Sequence, residues 1–390
     1  MIEPYTLEVP SRPDPYPYYA RLRAEEPAHY SPIEDVWVLT RFDDCLAALS
    51  DPDRWSSERR GNLLNDLPDR IGRTLGTTDP PRHTMLRRLV SKAFTPRTVA
   101  GLEPLVRATS KRLHDAAFES DPIEYVADIS APLNAHILGA MFGVPDDDFI
   151  HLRRWLDDFF VREKPGPDRE PAQVVAMREL HAYIDQLVAE RAARPADELI
   201  SAMLSAQEEG AALTHDQVAV TTMTFLTAGF ESVNNLFTNV IVALARHHAL
   251  LDRLRDEPPA VAAFVEETMR WDAPAQGFVR TPTSRVEVGG ATIPEGAQVL
   301  VHIGAANRDP EAFPDADRFD INRQGGRHLG LGHGAHFCVG AALGRLLGRV
   351  ALEDLAARAR SIDVDLDRSV RVTTPNFRGF QRLHLSVDAS

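Results

Sequence analysis

The 390-residue sequence predicts a mainly α chain with a small β region. Three observations carry that reading. Apolar residues recur at helical spacing through most of the chain; the longest such stretch, from Thr214 to about His247, is roughly 30 residues, or about 45 Å of helix. Strand-like alternation is confined to short runs near 36–40, 284–303 and 370–387. No Gly-, Ser- or Pro-rich linker divides the chain, so residues 1–390 are expected to form one domain.

Taken in order, a proline-rich lead precedes a short helix over Tyr18–Glu26, a strand over Val36–Thr40 and a helix over Phe42–Leu49 that carries Cys45. Residues 56–78 show no sustained period, and an irregular stretch of that length inside a compact domain is usually functional. Asp79, Pro80 and Pro81 then signal a helix start, and His83 and Arg87 follow on one face, four residues apart. Helical periods run from Val99 to about Gly143, with a break at Asp121 and Pro122. A stretch over Trp155–Val161 and a helix over Pro171–Arg194 flank the Lys-Pro-Gly-Pro-Asp elbow at 164–168, as a lid or as a surface hairpin.

Thr214 and Gln217 form a capping-box pair that opens the long helix. A helix apolar on nearly every face is buried through its domain. Yet its middle reads Ala228, Gly229, Phe230, Glu231, Ser232, with Asn234 and Asn235 beyond. A carboxylate, a hydroxyl and two amides are costly there unless partnered or functional. Val261–Trp271 is a further helix bearing Glu267 and Arg270 three apart, a charge-assisted fork. Val286 and Val288, the Gly289-Gly290 turn, Ile293, and then Val299, Val301 and Ile303 in alternation make the clearest β region. Val370–Val387 reads as a small hairpin around Pro375, Asn376 and Gly379.

Composition narrows the function classes. Forty-three Lys and Arg against 57 Asp and Glu leave a net charge of −14, which disfavours nucleic acid as a partner. Two distant cysteines supply no disulfide framework and suit a reducing cytosol. The N-terminus lacks a basic start followed by an apolar core, and nowhere do 18 apolar residues run together. A soluble, cytoplasmic protein with no membrane association is expected.

The chemistry concentrates in Leu329–Arg345, where Gly330, Gly332, Gly334 and Gly340 crowd Cys338 and a helical period begins after Gly340. A sulfur at a helix start is favoured as thiolate, hence as a nucleophile or metal ligand. As a nucleophile it would find a base in His336 or His333. Zinc would need further close ligands, and the other cysteine, Cys45, is remote. One axial thiolate beside a flat, glycine-lined surface suits haem iron best.

This stretch resembles the cysteine-ligand loop of the cytochrome P450 family, Phe-x-x-Gly-x-x-x-Cys-x-Gly. Gly334, Cys338 and Gly340 match, His336 stands where many bacterial members have one, and Leu331 replaces the usual Phe. The resemblance covers nearly the full chain and implies a single P450-like haem-thiolate domain with haem b, Cys338 ligating the iron. It implies haem contacts from His83, Arg87, Ala228, Gly229, Arg280, Leu331, Gly332, His336 and Gly340, with His83, Arg87 and Arg280 taking the propionates. It carries proton delivery to Glu231 and Ser232, the latter in place of the more common Thr. Glu267 and Arg270 match the family's Glu-x-x-Arg element, a structural brace whose third member falls on Arg318.

The resemblance further implies insertion of one oxygen atom from O2 into an organic substrate, with NAD(P)H electrons arriving through a ferredoxin and a ferredoxin reductase. Arg323, Arg327, Arg345 and Arg349 around the loop are expected to form a local basic patch for an acidic ferredoxin. Phe225, Ala228, Phe230, Phe278 and Phe377 are candidate pocket residues and suit an apolar or aromatic small molecule. Two other readings stay open: a haem-thiolate enzyme performing peroxide-driven oxidation, coupling, desaturation or rearrangement, and a non-catalytic haem-binding recruitment protein.

Overall fold

The structure is a computed structural model that describes residues 2–64, 70–120, 122–160, 171–208, 210–324 and 327–389. Its elements follow the local sequence signals. Helix α1 (Tyr16–Glu25) begins behind Pro15 with Pro17 in its first turn, where a missing N–H costs nothing. Strands β1 (Ala28–Ser31) and β2 (Val36–Leu39), helix α2 (Phe42–Ser50) and strand β3 (Trp55–Ser56) follow. Helix α3 (Arg82–Ala93) starts after the Pro80-Pro81 pair, then come α4 (Pro96–Gly101) and α5 (Glu103–Ala117). After the break come β4 (Ile123–Glu124) and a wide turn over Val126–Ser130 that runs into α6 (Ala131–Phe142), closed by left-handed Gly143. Helices α7 (Phe149–Phe160), α8 (Ala172–Ala193) and α9 (Leu199–Ser205) lead to β5 (Gln207–Glu208) and β6 (Ala211–Ala212). The expected elbow at 164–168 lies outside the described residues.

Helix α10 (His215–Arg246) is the axis of the molecule. Its start carries the predicted capping box, Thr214 and Gln217 each bonding the other's backbone. It packs against α6, α7, α8 and α9, and residues Val233–Leu244 are buried on every face. Beyond it lie α11 (Leu251–Asp256) and α12 (Pro258–Trp271), then β7 (Phe278–Pro282), β8 (Val286–Val288), β9 (Ala291–Ile293), β10 (Val299–Val301) and α13 (Ile303–Ala306). Helix α14 (Ala341–Arg358), which also packs on α10, and strands β11 (Ala359–Arg371) and β12 (Phe380–Ala389) close the chain.

The main sheet, ordered β1-β2-β10-β7-β3, joins strands from both ends of the sequence. Val299 on β10 pairs with Trp37 in parallel and with Arg280 antiparallel, which fixes Arg280 over the early chain. Two expectations change. Ile303 opens α13 instead of extending the strand, because the His302 side chain accepts the Ala305 N–H and caps a helix. The C-terminal hairpin is longer than Val370–Val387: β11 begins at Ala359, and bulges interrupt its pairing, which weakens a period-2 signal.

The Glu267–Arg270 fork is buried, at 5% and 2% side-chain exposure, with two bonds of 2.7 and 2.8 Å. Arg270 spends its other donors on the carbonyls of Asn307, Ala316 and Arg318. Asn307 in turn accepts the Leu329 N–H on its side chain, so the fork is tied to the start of the cysteine loop. Arg318 is a correction. Its side chain is 70% exposed and only its carbonyl faces the fork. The side chain that enters is Arg323, Nε 3.4 Å from Glu267 and Nη1 2.6 Å from the Pro314 carbonyl, because a turn at Asp315 (φ +49°) directs backbone rather than side chain inward at 318.

Candidate functional site

The cysteine loop is held by its own backbone. The Gly332 N–H donates to the Leu329 carbonyl at 2.8 Å, Phe337 to Gly334 at 3.1 Å, and Cys338 to Leu331 at 2.9 Å. Two glycines make that path possible. A β-carbon on Gly330 would stand 2.4 Å from the Met269 carbonyl oxygen, and one on Gly334, at φ +65°, 2.7 Å from that of Leu49. Gly340 caps α14, and its N–H points at the Cys338 sulfur. The expected depression of the thiol pKa is reversed in the chain alone. Burial pushes the Cys338 thiol up, and the Gly340 N–H, Arg87 and Arg345 only partly oppose it.

Beside the sulfur sits a cluster of basic side chains that bond no acid among the described residues. His83 is 2% exposed, and among the described residues neither of its ring nitrogens has a partner. Its ring lies on that of His336, centroids 4.2 Å apart. Arg280 is 4% exposed, donates only to its neighbour's Val279 carbonyl, and burial pulls it down to about 10. Arg87 is half-buried and also lowered, by burial against the pull of Cys338. Among the described residues neither arginine has an ion-pair partner; Asp79, whose charge reaches His83 and Arg280, accepts bonds from Ser56 and the Ser57 N–H. Burial, then Arg280, His83 and Arg87, hold His336 down at about 2. Buried cations without a counter-charge are costly, so the cluster is shaped for anionic groups from outside the chain. Ser57, 3.3 Å from His336 Nε2, joins this cluster without any signal in its sequence context.

On α10, Ala228 is exposed and Thr224, Phe225 and Ser232 are half-buried along one face, while Glu231 is buried. Glu231 accepts from Asn235 at 3.1 Å. The Ser232 hydroxyl donates to the Ala228 carbonyl at 2.7 Å, and Thr224 and Thr227 bond the carbonyls one turn back. Those hydroxyls are satisfied by the helix itself and leave an apolar wall. Thr224 was legible as the residue four before Ala228 and eight before Ser232.

Two candidates on this helix move elsewhere. Gly229 directs its missing side chain at α6, where a β-carbon would meet Leu138 Cδ2 at 3.2 Å; the glycine serves helix packing rather than a ligand. Phe230 is 3% exposed in the main core, since at about 100° per residue it points away from both Ala228 and Ser232. Phe225 packs on Phe94 and Phe142. Phe278 and Phe377 are half-buried, on segments joined by the Ala275–Phe377 bridge and the Gln276 N–H to Asn376 carbonyl bond. Leu331 is half-buried against the core, and Gly332 takes a positive φ of +71°.

The expected basic patch is largely neutralised. Arg345 forks onto Glu266 at 2.5 and 3.0 Å, Arg349 bonds Glu103 and Glu353, and Arg323 lies in the fork described above. Burial raises the Glu266 carboxyl, but bonds from His328 and Arg345 prevail and hold it at about 2. Arg327 alone of the four is exposed without an acid among the described residues, its guanidinium 4.6 Å from the Phe337 ring centroid.

Among the described residues, no three His, Cys, Asp or Glu side chains gather to hold a bare metal ion, and no helix is long and apolar enough to cross a membrane. A single sulfur with a bank of unpaired cations fits haem b, whose iron takes one thiolate and whose two carboxylates take the cations. The profile of the family described as Cytochrome P450 matches residues 153–356. Putative cytochrome P450 123 of Mycobacterium tuberculosis is 35% identical over 100% of this chain and 97% of its own length. Cytochrome P450 monooxygenase PikC of Streptomyces venezuelae is 36% identical, over 95% of this chain and 90% of its own. The crystal structure of CYP109E1 from Bacillus megaterium in complex with corticosterone superposes with a TM-score of 0.88 at 28% identity, covering 96% of this chain and 98% of that one. With sequence, fold and cofactor chemistry in agreement, the chain belongs to the cytochrome P450 family of haem b oxidoreductases, of the monooxygenase type.

Proposed function

We propose that this enzyme inserts one oxygen atom from O2 into an apolar or aromatic small molecule, using NAD(P)H electrons delivered by a ferredoxin and its reductase. The observation that carries the reading is the cluster of His83, Arg87 and Arg280 beside Cys338, whose side chains bond no acid among the described residues. Bound haem supplies the activation of dioxygen. Cys338 would hold the iron as thiolate, with the Gly340 N–H steadying the sulfur's charge. His83, Arg87, Arg280 and His336 would hold the haem carboxylates, which would return the counter-charge that Arg87 and Arg280 lack among the described residues.

On the substrate side, Thr224, Ala228 and Ser232 present methyl and methylene surface, because the Thr224 and Ser232 hydroxyls are turned back to their own helix. That wall excludes water and accepts an apolar face. The Ser232 hydroxyl needs only a rotation about χ1 to exchange its bond to the Ala228 carbonyl for one to a reacting oxygen. Serine lacks the β-methyl that would resist this rotation. Glu231, held by Asn235, relays protons to that hydroxyl from the buried side of α10. A small acidic ferredoxin docks near Arg327 and Phe337, which adjoin the ligand cysteine.

The test is a ferrous–CO spectrum of the purified protein, then a screen of apolar and aromatic compounds for a ferric spin-state change. Compounds that bind are then incubated with ferredoxin, reductase and NAD(P)H, or with peroxide alone. Oxygenated product only with the redox chain supports the proposal. Product with peroxide alone replaces it with a peroxide-driven enzyme, and a missing thiolate-type spectrum removes it.

A further inference from the structure

Helix α6 meets α10 at the step Gly229–Phe230, immediately before Glu231. Leu138 fills the space at Gly229, its Cδ2 3.2 Å from where a β-carbon would stand. One turn earlier on α6, Asn134 is completely buried with its amide nitrogen on the same step. Nδ2 lies 2.9 Å from the Phe230 carbonyl oxygen, 3.3 Å from that of Gly229 and 3.4 Å from Asn234 Oδ1. The Asn134 Oδ1 has no partner among the described residues. A buried amide that leaves its acceptor bare while its donor end serves three oxygens is placed for what it donates.

The two carbonyls belong to the peptide units on either side of Phe230, and the second of those units carries the Glu231 N–H. A helical carbonyl that takes a donor from outside its ladder tilts off the axis, and such side-chain insertion is an identified cause of helix bending. Here the outside donor comes from the α6 side of α10. Its effect falls on the next residues, Glu231 and Ser232, whose groups lie on other faces of the same turn. We propose that Asn134 is a positioning residue: its amide fixes the pitch of α10 at Gly229–Phe230 and thereby aims Glu231 and Ser232 for proton delivery. This rests on the reading of those two residues as the proton relay.

The experiment compares Asn134→Leu, which keeps the branched shape and removes the donor, with Leu138→Ala, which loosens the same contact and leaves the amide. Amide hydrogen exchange over 229–235 is read in haem-free and haem-loaded protein. The rate at which dithionite-reduced, haem-loaded protein is reoxidised by dioxygen is read in H2O and in D2O. Asn134→Leu is expected to speed exchange over 229–235 about tenfold in both forms and to change the solvent isotope effect on reoxidation at least twofold, with Leu138→Ala close to wild type in the isotope effect. Equal effects in both variants, or none in Asn134→Leu, overturn the proposal. Should Asn134→Leu not load haem, Asn134→Ser, too short to reach either carbonyl, is read in its place under the same criteria. Glu231→Gln separates the two levels of inference: if it leaves the isotope effect unchanged, the relay reading fails; if it moves the effect and Asn134→Leu does not, only the role of Asn134 fails.

Discussion

The imidazole of His83 on α3 lies against that of His336 in the cysteine loop, ring centroids 4.2 Å apart, and the His83 nitrogens bond nothing among the described residues. Burial, then Arg87, hold His83 down at about 4, with Asp79 pulling the other way. Between that value and the ordinary 6.5 of the unfolded chain, unfolding takes up a proton, so stability rises with pH. The contribution is whole above 6.5 and is lost as pH falls toward 4, about 2 kcal/mol at pH 5. Denaturant titrations of haem-free protein at about pH 7.5 and pH 5 are expected to show a loss in His83→Asn that is smaller than the wild-type loss by about 2 kcal/mol, the remainder coming from His336 and His302, which burial also holds down. Haem carboxylates favour the protonated ring, so loading with haem should flatten the wild-type slope. Parallel profiles for wild type and variant would remove the His83 assignment.

Cys338→Ser keeps the loop geometry and the Gly340 N–H but removes the soft thiolate. The expected outcome is a folded protein that holds haem weakly and has lost the thiolate-type ferrous–CO spectrum. Retention of that spectrum ends the ligand assignment.

Glu231→Gln preserves the bond from Asn235 while removing the titratable proton. Turnover of any substrate found in the spin-state screen should fall on the order of 10²-fold, the usual size of a general acid–base contribution. Ser232→Ala should release more peroxide per NAD(P)H oxidised, with substrate affinity little changed. Full turnover in both variants would show that protons arrive by another route.

Glu267→Gln leaves the Arg270 guanidinium buried without its counter-charge, which is expected to cost about 3–5 kcal/mol. Arg323→Ala should cost about 1 kcal/mol, while exposed Arg318→Ala should stay within about 0.5 kcal/mol of wild type. Thermal denaturation of the variants orders them; a larger effect at 318 than at 323 would contradict the geometry of the fork.

Gly334→Ala places a β-carbon 2.7 Å from the Leu49 carbonyl at a positive φ, so it should destabilise by about 2 kcal/mol and lower haem occupancy. Gly344, inside α14 with nothing within 4 Å, is the control: Gly344→Ala should stabilise by about 0.5–1 kcal/mol. Equal Tm shifts would mean that the loop absorbs the extra atom.

The amino-acid sequence by itself determined what depends on near neighbours. The capping box at Thr214 and Gln217, the run of α10, the Glu267–Arg270 spacing and the glycine path around Cys338 are all local, because helix periodicity and backbone dihedrals are set within a few residues. Most helix ends were legible to within a few residues, but α7 begins at Phe149, six residues before the expected Trp155, and the strand β11 was not legible, its alternation broken by bulges. Tertiary structure alone decided which side chain of a turn faces inward, so Arg323 rather than Arg318 reaches the fork. It alone turned Gly229 and Phe230 toward packed neighbours, consumed Arg345 and Arg349 in ion pairs, and brought Asn134 onto α10. Those outcomes depend on which remote surface a residue meets and on what charge or carbonyl waits there, and spacing along one chain holds no measure of that distance.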